Sequence, residues 1–248
     1  MKEPQLSNFP INTSPSFCPT KIFLIHEPNT DQLLAPIAAE TSDITASPAA
    51  AEILATDTTN EDVHDLLPEP VLSRLEPAAA DQHPFLKVAS TSWYKRALKA
   101  ILIHGSTEEE KEIAQLAGPL LSLGRWKFIF ADATYSSHKI EMRPTGVGSR
   151  ADVFVKDSLL FFWEPVAHGQ RARYVLWKGT AGEEESRQRE VVGVYALVAH
   201  HGHGHWHGES GKKRKGRRGV LVVDDSKVDK VVAVLTCVAT VNRVESFR

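Results

Sequence analysis

Five of the chain's 11 histidines lie within eight consecutive residues and are interrupted by glycines. Imidazole is a ligand suited to zinc, copper and nickel, and glycines let several rings converge on one ion. The same composition is also typical of a solvated low-complexity loop between two strands. We expect the segment to bind Zn²⁺ or Ni²⁺ added in vitro, and we expect no cofactor that the fold requires. These residues, the histidine loop, are His200, His201, His203, His205 and His207.

Six cations in seven residues follow the histidines after four intervening residues. Such a run is typical of a nuclear-localisation signal, of a phosphate-binding segment, or of contact with an anionic membrane, where each cation contributes about 1 kcal/mol. It is also consistent with a solvated charge run that only keeps a loop soluble. We interpret it as the best candidate for an anion-binding surface. The run, called the basic loop, consists of Lys212, Lys213, Arg214, Lys215, Arg217 and Arg218.

Known catalytic motifs are absent from the sequence. It contains no Gly-x-Ser-x-Gly, P-loop, His-Glu-x-x-His or dinucleotide-binding fingerprint. His104, His138 and His168 have no sequence-adjacent partner that would mark a triad. Cys237 lies in an apolar run, where burial would raise its pKa and make the thiol inert. We therefore expect no enzymatic activity.

The element that must organise the rest of the chain is its last apolar run. Between Lys230 and Asn242, the only polar groups are those of Thr236 and Thr240, whose hydroxyls can bond back to their own helix. The run is too short for a bilayer, which needs about 20 apolar residues. Its valines also suit a strand, but Ser226 with Asp229 resembles a capping box and favours a helix over about 226–244.

A helix that is apolar on all sides must be surrounded by protein. The simplest surround is a sheet wrapped about it, so the run predicts a barrel or strongly curled sheet that encloses its own C-terminal helix. The core positions of this predicted helix are Val231, Val234, Leu235 and Val238.

Charge and proline divide the chain into two parts. Residues 1–89 contain 13 Asp and Glu against 4 Lys and Arg, and 11 of the 14 prolines. We interpret them as a disordered acidic leader, rich in Pro and Ala, before a folded domain of residues 90–248. Residues 21–26 are an apolar island that would be either a transient patch or an added edge strand. Residues 32–57 are assigned no structure.

From Trp93 onward, short strands alternate with turn signals, as in all-β sandwiches and barrels. The clearest hairpin signal has Lys156-Asp157-Ser158 as its turn. Residues 108–116 are ambiguous between helix and strand. The predicted strands are 97–103, 126–130, 139–142, 152–155, 159–164, 173–177, 191–198 and 219–223.

Cysteine usage and the N-terminus bear on the compartment. Cys18 and Cys237 form no disulfide framework, and we interpret both as free thiols in a reducing compartment. No secretory signal and no run of transmembrane length is visible. We therefore expect a cytoplasmic or nuclear protein, at most peripherally attached to membranes.

Four segments carry a family resemblance: Phe-Phe-Trp-Glu ending at Glu164, Val-Val-Gly-Val-Tyr-Ala over 191–196, Gly-Val-Leu-Val-Val over 219–223, and a closing apolar helix with Leu235-Thr236. This order resembles the tubby C-terminal-like superfamily, which includes phospholipid scramblases and LURP-one-related proteins, and is most similar to its divergent fungal members. The resemblance covers roughly residues 93–248. It implies a closed antiparallel barrel threaded by a hydrophobic helix, no enzymatic activity, and phosphoinositide binding through basic residues.

We therefore expect a mainly β fold, a closed antiparallel barrel around a central C-terminal helix. The leading hypothesis is a non-enzymatic adaptor that recognises anionic phospholipid or phosphoinositide headgroups through the basic loop. The alternative is a metal-binding or stress-related protein that uses the histidine loop, and a hydrolytic enzyme is the third hypothesis. We expect a monomer with an unidentified protein partner and no nucleic-acid partner.

Overall fold

The computed structural model describes residues 17, 20–26, 34–41, 84–92, 97–104, 109–118, 124–146, 148–166, 173–179, 189–198 and 218–245. These ranges contain twelve strands and one helix. They are β1 (Lys21–His26), β2 (Leu34–Thr41), β3 (Pro84–Ser92), β4 (Ala97–His104), β5 (Glu109–Ala117), β6 (Trp126–Phe130), β7 (Ile140–Pro144), β8 (Asp152–Lys156), β9 (Leu159–Val166), β10 (Arg173–Gly179), β11 (Arg189–Val198), β12 (Arg218–Val223) and α1 (Lys230–Glu245).

Eleven strands form a continuous antiparallel sheet in the order β1-β12-β11-β10-β9-β8-β7-β6-β5-β4-β3. The remaining strand, β2, pairs antiparallel with β3 and with β1. Side chains alternate between the two faces of the sheet, and one face is buried: β6 and β7 each bury every second residue at their start. The prediction of a mainly β fold with one C-terminal helix is confirmed.

The helix α1 lies against the concave face of this sheet. Every residue from 231 to 240 is buried, which includes the predicted core positions Val231, Val234, Leu235 and Val238. One hydrophobic cluster joins these residues to buried side chains of β1 and of β3 to β12. The sheet therefore curls around the helix, as an all-round apolar helix requires.

The start of α1 differs from the prediction. The Asp229 carboxylate accepts a hydrogen bond from the backbone N–H of Val232 (3.0 Å), and its carbonyl accepts the first helical bond from Ala233 (2.9 Å). Asp229 is thus the N-cap, and the predicted start at Ser226 is wrong. The Ser226 hydroxyl instead donates to Asp224 (2.5 Å) in the turn that precedes the helix. The N-cap was predicted three residues too early, because this segment contains several short polar side chains that can each cap a helix.

Strands before residue 90 correct the predicted leader. The apolar island of residues 21–26 is β1, which pairs with β12 and buries Phe23 completely. The absence of structure expected for residues 32–57 is also wrong, because β2 lies there. With β3 beginning at Pro84, the sheet starts well before the boundary expected at residue 89. The other residues of that segment lie outside the described ranges.

The hairpin of β8 and β9 is confirmed. Asp157 and Ser158 form its two-residue turn with φ of 50° and 63°, the left-handed pair that a type I′ turn requires. Of the ambiguous residues 108–116, those from 109 onward lie in β5, whose register with β4 and β6 satisfies the backbone on both sides.

A buried polar contact ties α1 to the sheet. The Trp163 indole N–H of β9 donates to the Thr236 hydroxyl (3.1 Å), which in turn donates to the carbonyl of Val232 (2.8 Å). This satisfies the indole inside the core. Within the described residues, no helix is long and apolar enough to cross a membrane.

Candidate functional site

The strand register shows which side chains share an end of the sheet. Pro144 pairs with Asp152, and further round the sheet Val198 pairs with Arg218. The last turn of α1 reaches this end as well, because Arg243 contacts Asp152. We call it the basic end. The strand residues that define it are Trp126, Pro144, Asp152, Val166, Arg173, Val198 and Arg218.

The opposite end, called the acidic end, holds the start of the helix. Desolvation raises the pKa of the Asp229 carboxyl there, against the opposing effects of the Val232 N–H and nearby Lys156. Beside it, Lys227 bridges Glu190 (2.5 Å) and Asp224 (3.2 Å). The strand residues that define this end are Phe130, Ile140, Lys156, Leu159, Gly179 and Arg189.

A buried ion pair fixes the helix at the basic end. Arg243 Nε and one terminal nitrogen donate to Asp152 Oδ2 (3.1 and 3.0 Å), and the other terminal nitrogen donates to the Ser149 carbonyl (2.8 Å). Burial raises the pKa of Asp152 to about 6, although Arg243 opposes the shift. Gly124, at φ +89°, lets the arginine stem pass, since a Cβ there would lie 2.4 Å from Arg243 Cδ. All three side-chain nitrogens of Arg243 therefore have hydrogen-bond acceptors within the domain.

Three other arginines at the basic end are exposed. Arg125 directly precedes Trp126, whose register partner Met142 is followed by Arg143. Arg150 lies in the connection between β7 and β8. Guanidinium groups stay charged at physiological pH and match phosphate oxygens with several donors. These side chains place three exposed positive charges at the basic end.

The connecting segments follow the same division of charge. Those joined to strands at the basic end contain 10 Lys and Arg against 3 Asp and Glu, a net charge of +7. Those at the acidic end contain 4 against 18, a net charge of −14, and the balance is still −6 without residues 42–83. The basic-end segments are 27–33, 93–96, 118–125, 145–151, 167–172 and 199–217; the acidic-end segments are 42–83, 105–108, 131–139, 157–158, 180–188 and 224–229.

Most residues predicted for a site fall outside the described ranges. His200, His201, His203, His205 and His207 lie there, as do the basic-loop residues 212–217. Arg218 is described as the first residue of β12, paired with Val198 and with His26. The register therefore fixes both ends of the segment 199–217 at the basic end.

The other residues singled out as candidate chemical groups have separate positions. His104 ends β4 at the acidic end, His138 is exposed in the connection before β7, and His168 lies outside the described ranges together with Cys18. Burial raises the pKa of the Cys237 thiol well above its usual range, and that thiol is free. In the part of the chain that the structure describes, no three His, Cys, Asp or Glu side chains are grouped to hold a metal ion.

A second apolar cluster on the outer face was missed in the sequence. Phe162, Val175 and Trp177 are buried apart from the main core, and the Arg189 guanidinium lies 4.9 Å from the Phe162 ring centroid. Arg189 also pairs with Glu164 (3.3 Å). The signal was present, because strands that are apolar without alternation are buried on both faces.

Comparisons with known proteins add no relative to this geometry. No family model, no curated protein and no solved structure matches the chain.

Proposed function

We propose that the chain is a non-enzymatic binding protein that recognises anionic lipid headgroups, phosphoinositides among them, through the basic loop. The observation that carries the proposal is the register pair Val198–Arg218, because these residues end β11 and begin β12 at the basic end, on either side of the segment that contains the loop. The segment that contains the loop begins and ends at the same end of the sheet that presents Arg125, Arg143 and Arg150 to solvent. Cations from several connections would then act on one anionic partner.

A closed barrel is part of this proposal. Its support is β2, which pairs with β1 from Ile22 to His26 and with β3 from Leu34 to Ala39. A closed sheet has no free edge to pair with other chains, and it holds the connections at each end in a fixed ring. The likeness to the tubby C-terminal-like superfamily accords with that architecture and with lipid binding.

Sedimentation of the full chain with lipid vesicles tests the function. Wild type should bind phosphatidylcholine vesicles that contain a phosphoinositide and not pure phosphatidylcholine. Because each cation near an anionic surface contributes about 1 kcal/mol, neutralising five of them should weaken binding more than a hundredfold. Failure of wild type to bind, or equal binding by the variant, would contradict the proposal. The variant changes Lys212, Lys213, Arg214, Lys215 and Arg217 to Gln.

The matched control removes the neighbouring histidines and leaves the cations. Changing His200, His201, His203, His205 and His207 to Ala should preserve vesicle binding and abolish uptake of Zn²⁺ or Ni²⁺. Metal binding through the histidine loop is the second candidate function, favoured by the five imidazoles in eight residues. Metal uptake that only the histidine variant loses, together with no vesicle binding by wild type, would favour it.

A further inference from the structure

Exposed charges on the described residues are divided along the axis of the helix. At the basic end the exposed side chains Arg125, Arg143 and Arg150 come from three successive parts of the chain, around β6, β7 and β8. None of them belongs to the basic loop. The positive charge of the described residues at this end is therefore additional to that of the loop.

At the acidic end the exposed charged side chains are largely carboxylates. Asp132 follows β6, Asp157 lies in the β8–β9 turn, and Asp225 precedes α1. The length of α1, which has 16 residues, separates the two ends by about 24 Å. That is about three Debye lengths at physiological salt. A charged surface that touches one end is thus screened from the other.

We propose that the chain meets an anionic bilayer end-on, with α1 along the membrane normal and its C-terminal end facing the lipid. This inference rests on the proposed function and names its partner as an extended anionic surface. A single headgroup contacts only the few side chains around it, whereas a plane touches cations distributed over the whole rim. If the domain lay on the side formed by β6 to β9, where the three arginines are, Asp132 and Asp157 would come within a Debye length of the same negative surface.

The buried arginine has a separate role in this geometry. Arg243 is held by Asp152 and the Ser149 carbonyl, so its charge is compensated inside the protein. It secures the β7–β8 connection that carries Arg150. The cations that meet the membrane are the exposed ones.

Vesicle partitioning of two matched triple variants of the full chain tests the orientation. In the first, Arg125, Arg143 and Arg150 are changed to Gln; in the second, Lys111, Lys139 and Lys178, which lie towards the acidic end, are changed to Gln. Both remove three positive charges. Each cation near the surface changes the partition coefficient about fivefold, so the arginine triple should lower partitioning into phosphatidylcholine–phosphatidylserine vesicles roughly a hundredfold. The lysine triple should change it less than about threefold.

The outcomes separate this inference from the proposed function. Equal losses in the two triples would mean that only net charge matters, and would overturn end-on docking. So would normal binding of the arginine triple combined with loss in the basic-loop variant, and that result would leave the proposed function standing. If wild type does not partition at all, both are overturned. Unchanged thermal melting of both triples shows that the losses are not caused by unfolding.

Discussion

Asp152 and Arg243 show how a single pair of residues joins the last turn of the helix to the sheet. Their side chains are 0% and 6% exposed, and 91 residues of sequence separate them. Removing one partner of a buried ion pair leaves the other without compensation, which typically costs about 3–5 kcal/mol. The pair therefore makes the position of the helix end specific, whatever its net contribution to stability.

The pH dependence of folding should report Asp152. Its pKa is raised from 3.8 to about 6 by burial, so between about pH 4 and pH 6 the folded state keeps a proton that the unfolded state has released. The contribution of this group is therefore present in full below pH 4 and is lost as pH rises through 6. It amounts to about 3 kcal/mol.

The Asp152→Asn variant isolates this effect, because asparagine does not titrate. Urea unfolding of wild type and variant across this range should show the wild-type free energy of unfolding falling relative to that of the variant as pH rises. A relative gain for wild type on raising the pH would mean that Arg243 overcomes desolvation and lowers the pKa.

Thr236 should matter through its hydroxyl. It is the acceptor for the buried Trp163 indole N–H at 3.1 Å. Thr236→Val keeps the shape but leaves that donor unsatisfied, at a cost of about 1–3 kcal/mol in the free energy of unfolding. Thr236→Ser keeps the acceptor and loses one methyl group, about 0.8 kcal/mol. Urea denaturation of both variants gives the comparison, and a valine variant as stable as wild type would remove the role assigned to this bond.

At the scale of elements, α1 should be essential to folding. Leu235 is 0% exposed, and Leu235→Asp would bury a charge without a partner. That typically costs several kcal/mol, comparable with the ~5–15 kcal/mol stability of a domain. We expect an unfolded or insoluble protein, as we do for truncation after Asp225. Lys230→Asp is the control, because it adds an acid at the positive end of the helix dipole. A soluble Leu235→Asp variant with a cooperative melt would make the helix peripheral.

The strand β1 should be equally necessary. Deleting residues 1–30 removes it, uncovers the edge of β12 and takes Phe23 out of the core. Deleting residues 1–16 leaves the Thr20 contacts with Val223 and Asp225 intact. Thermal melting should therefore show a large loss for the longer deletion and little for the shorter. Equal stability of the two would return β1 to the status of a transient patch.

Particular residues explain how much of the fold could be predicted. The strands from β6 onward are bounded by turn signals, and α1 is an uninterrupted apolar run, so local patterns identified them. In β2, Pro36 lies where the register with β3 shifts; proline is tolerated at such irregularities, yet in the sequence it indicates a loop. The composition of the surrounding acidic segment also concealed β1.

The candidate site also has a part that was visible in the sequence and a part that depends on the fold. The basic loop is visible in the sequence as a charge run, whereas the common location of Arg125, Arg143 and Arg150 depends on strand register. Because successive antiparallel strands reverse direction, the sequence could have indicated this common location only if every strand had been predicted correctly. The contact between Asp152 and Arg243 arises when the helix enters the sheet, and no local pattern indicates it.

At the scale of the whole molecule, stability should be independent of metal. The main core joins apolar side chains from eleven strands to α1. The polar contacts of Trp163 with Thr236 and of Asp152 with Arg243 are direct hydrogen bonds between side chains. Burial of such a core supplies the driving force for folding without an ion. Along the chain, the histidine loop lies between β11 and β12.

Calorimetric melting of the full chain with and without a chelator tests this independence. The melting temperature should stay the same after chelation, even where Zn²⁺ or Ni²⁺ binding to the protein is measurable by titration. Ligands stabilise a fold in proportion to their preference for the folded state, and a segment that binds metal equally well in the folded and the unfolded chain adds no stability when the metal binds. The variant with the five loop histidines changed to Ala should melt as wild type does. A marked drop in melting temperature on chelation that is absent in this variant would make the histidine loop a structural metal site.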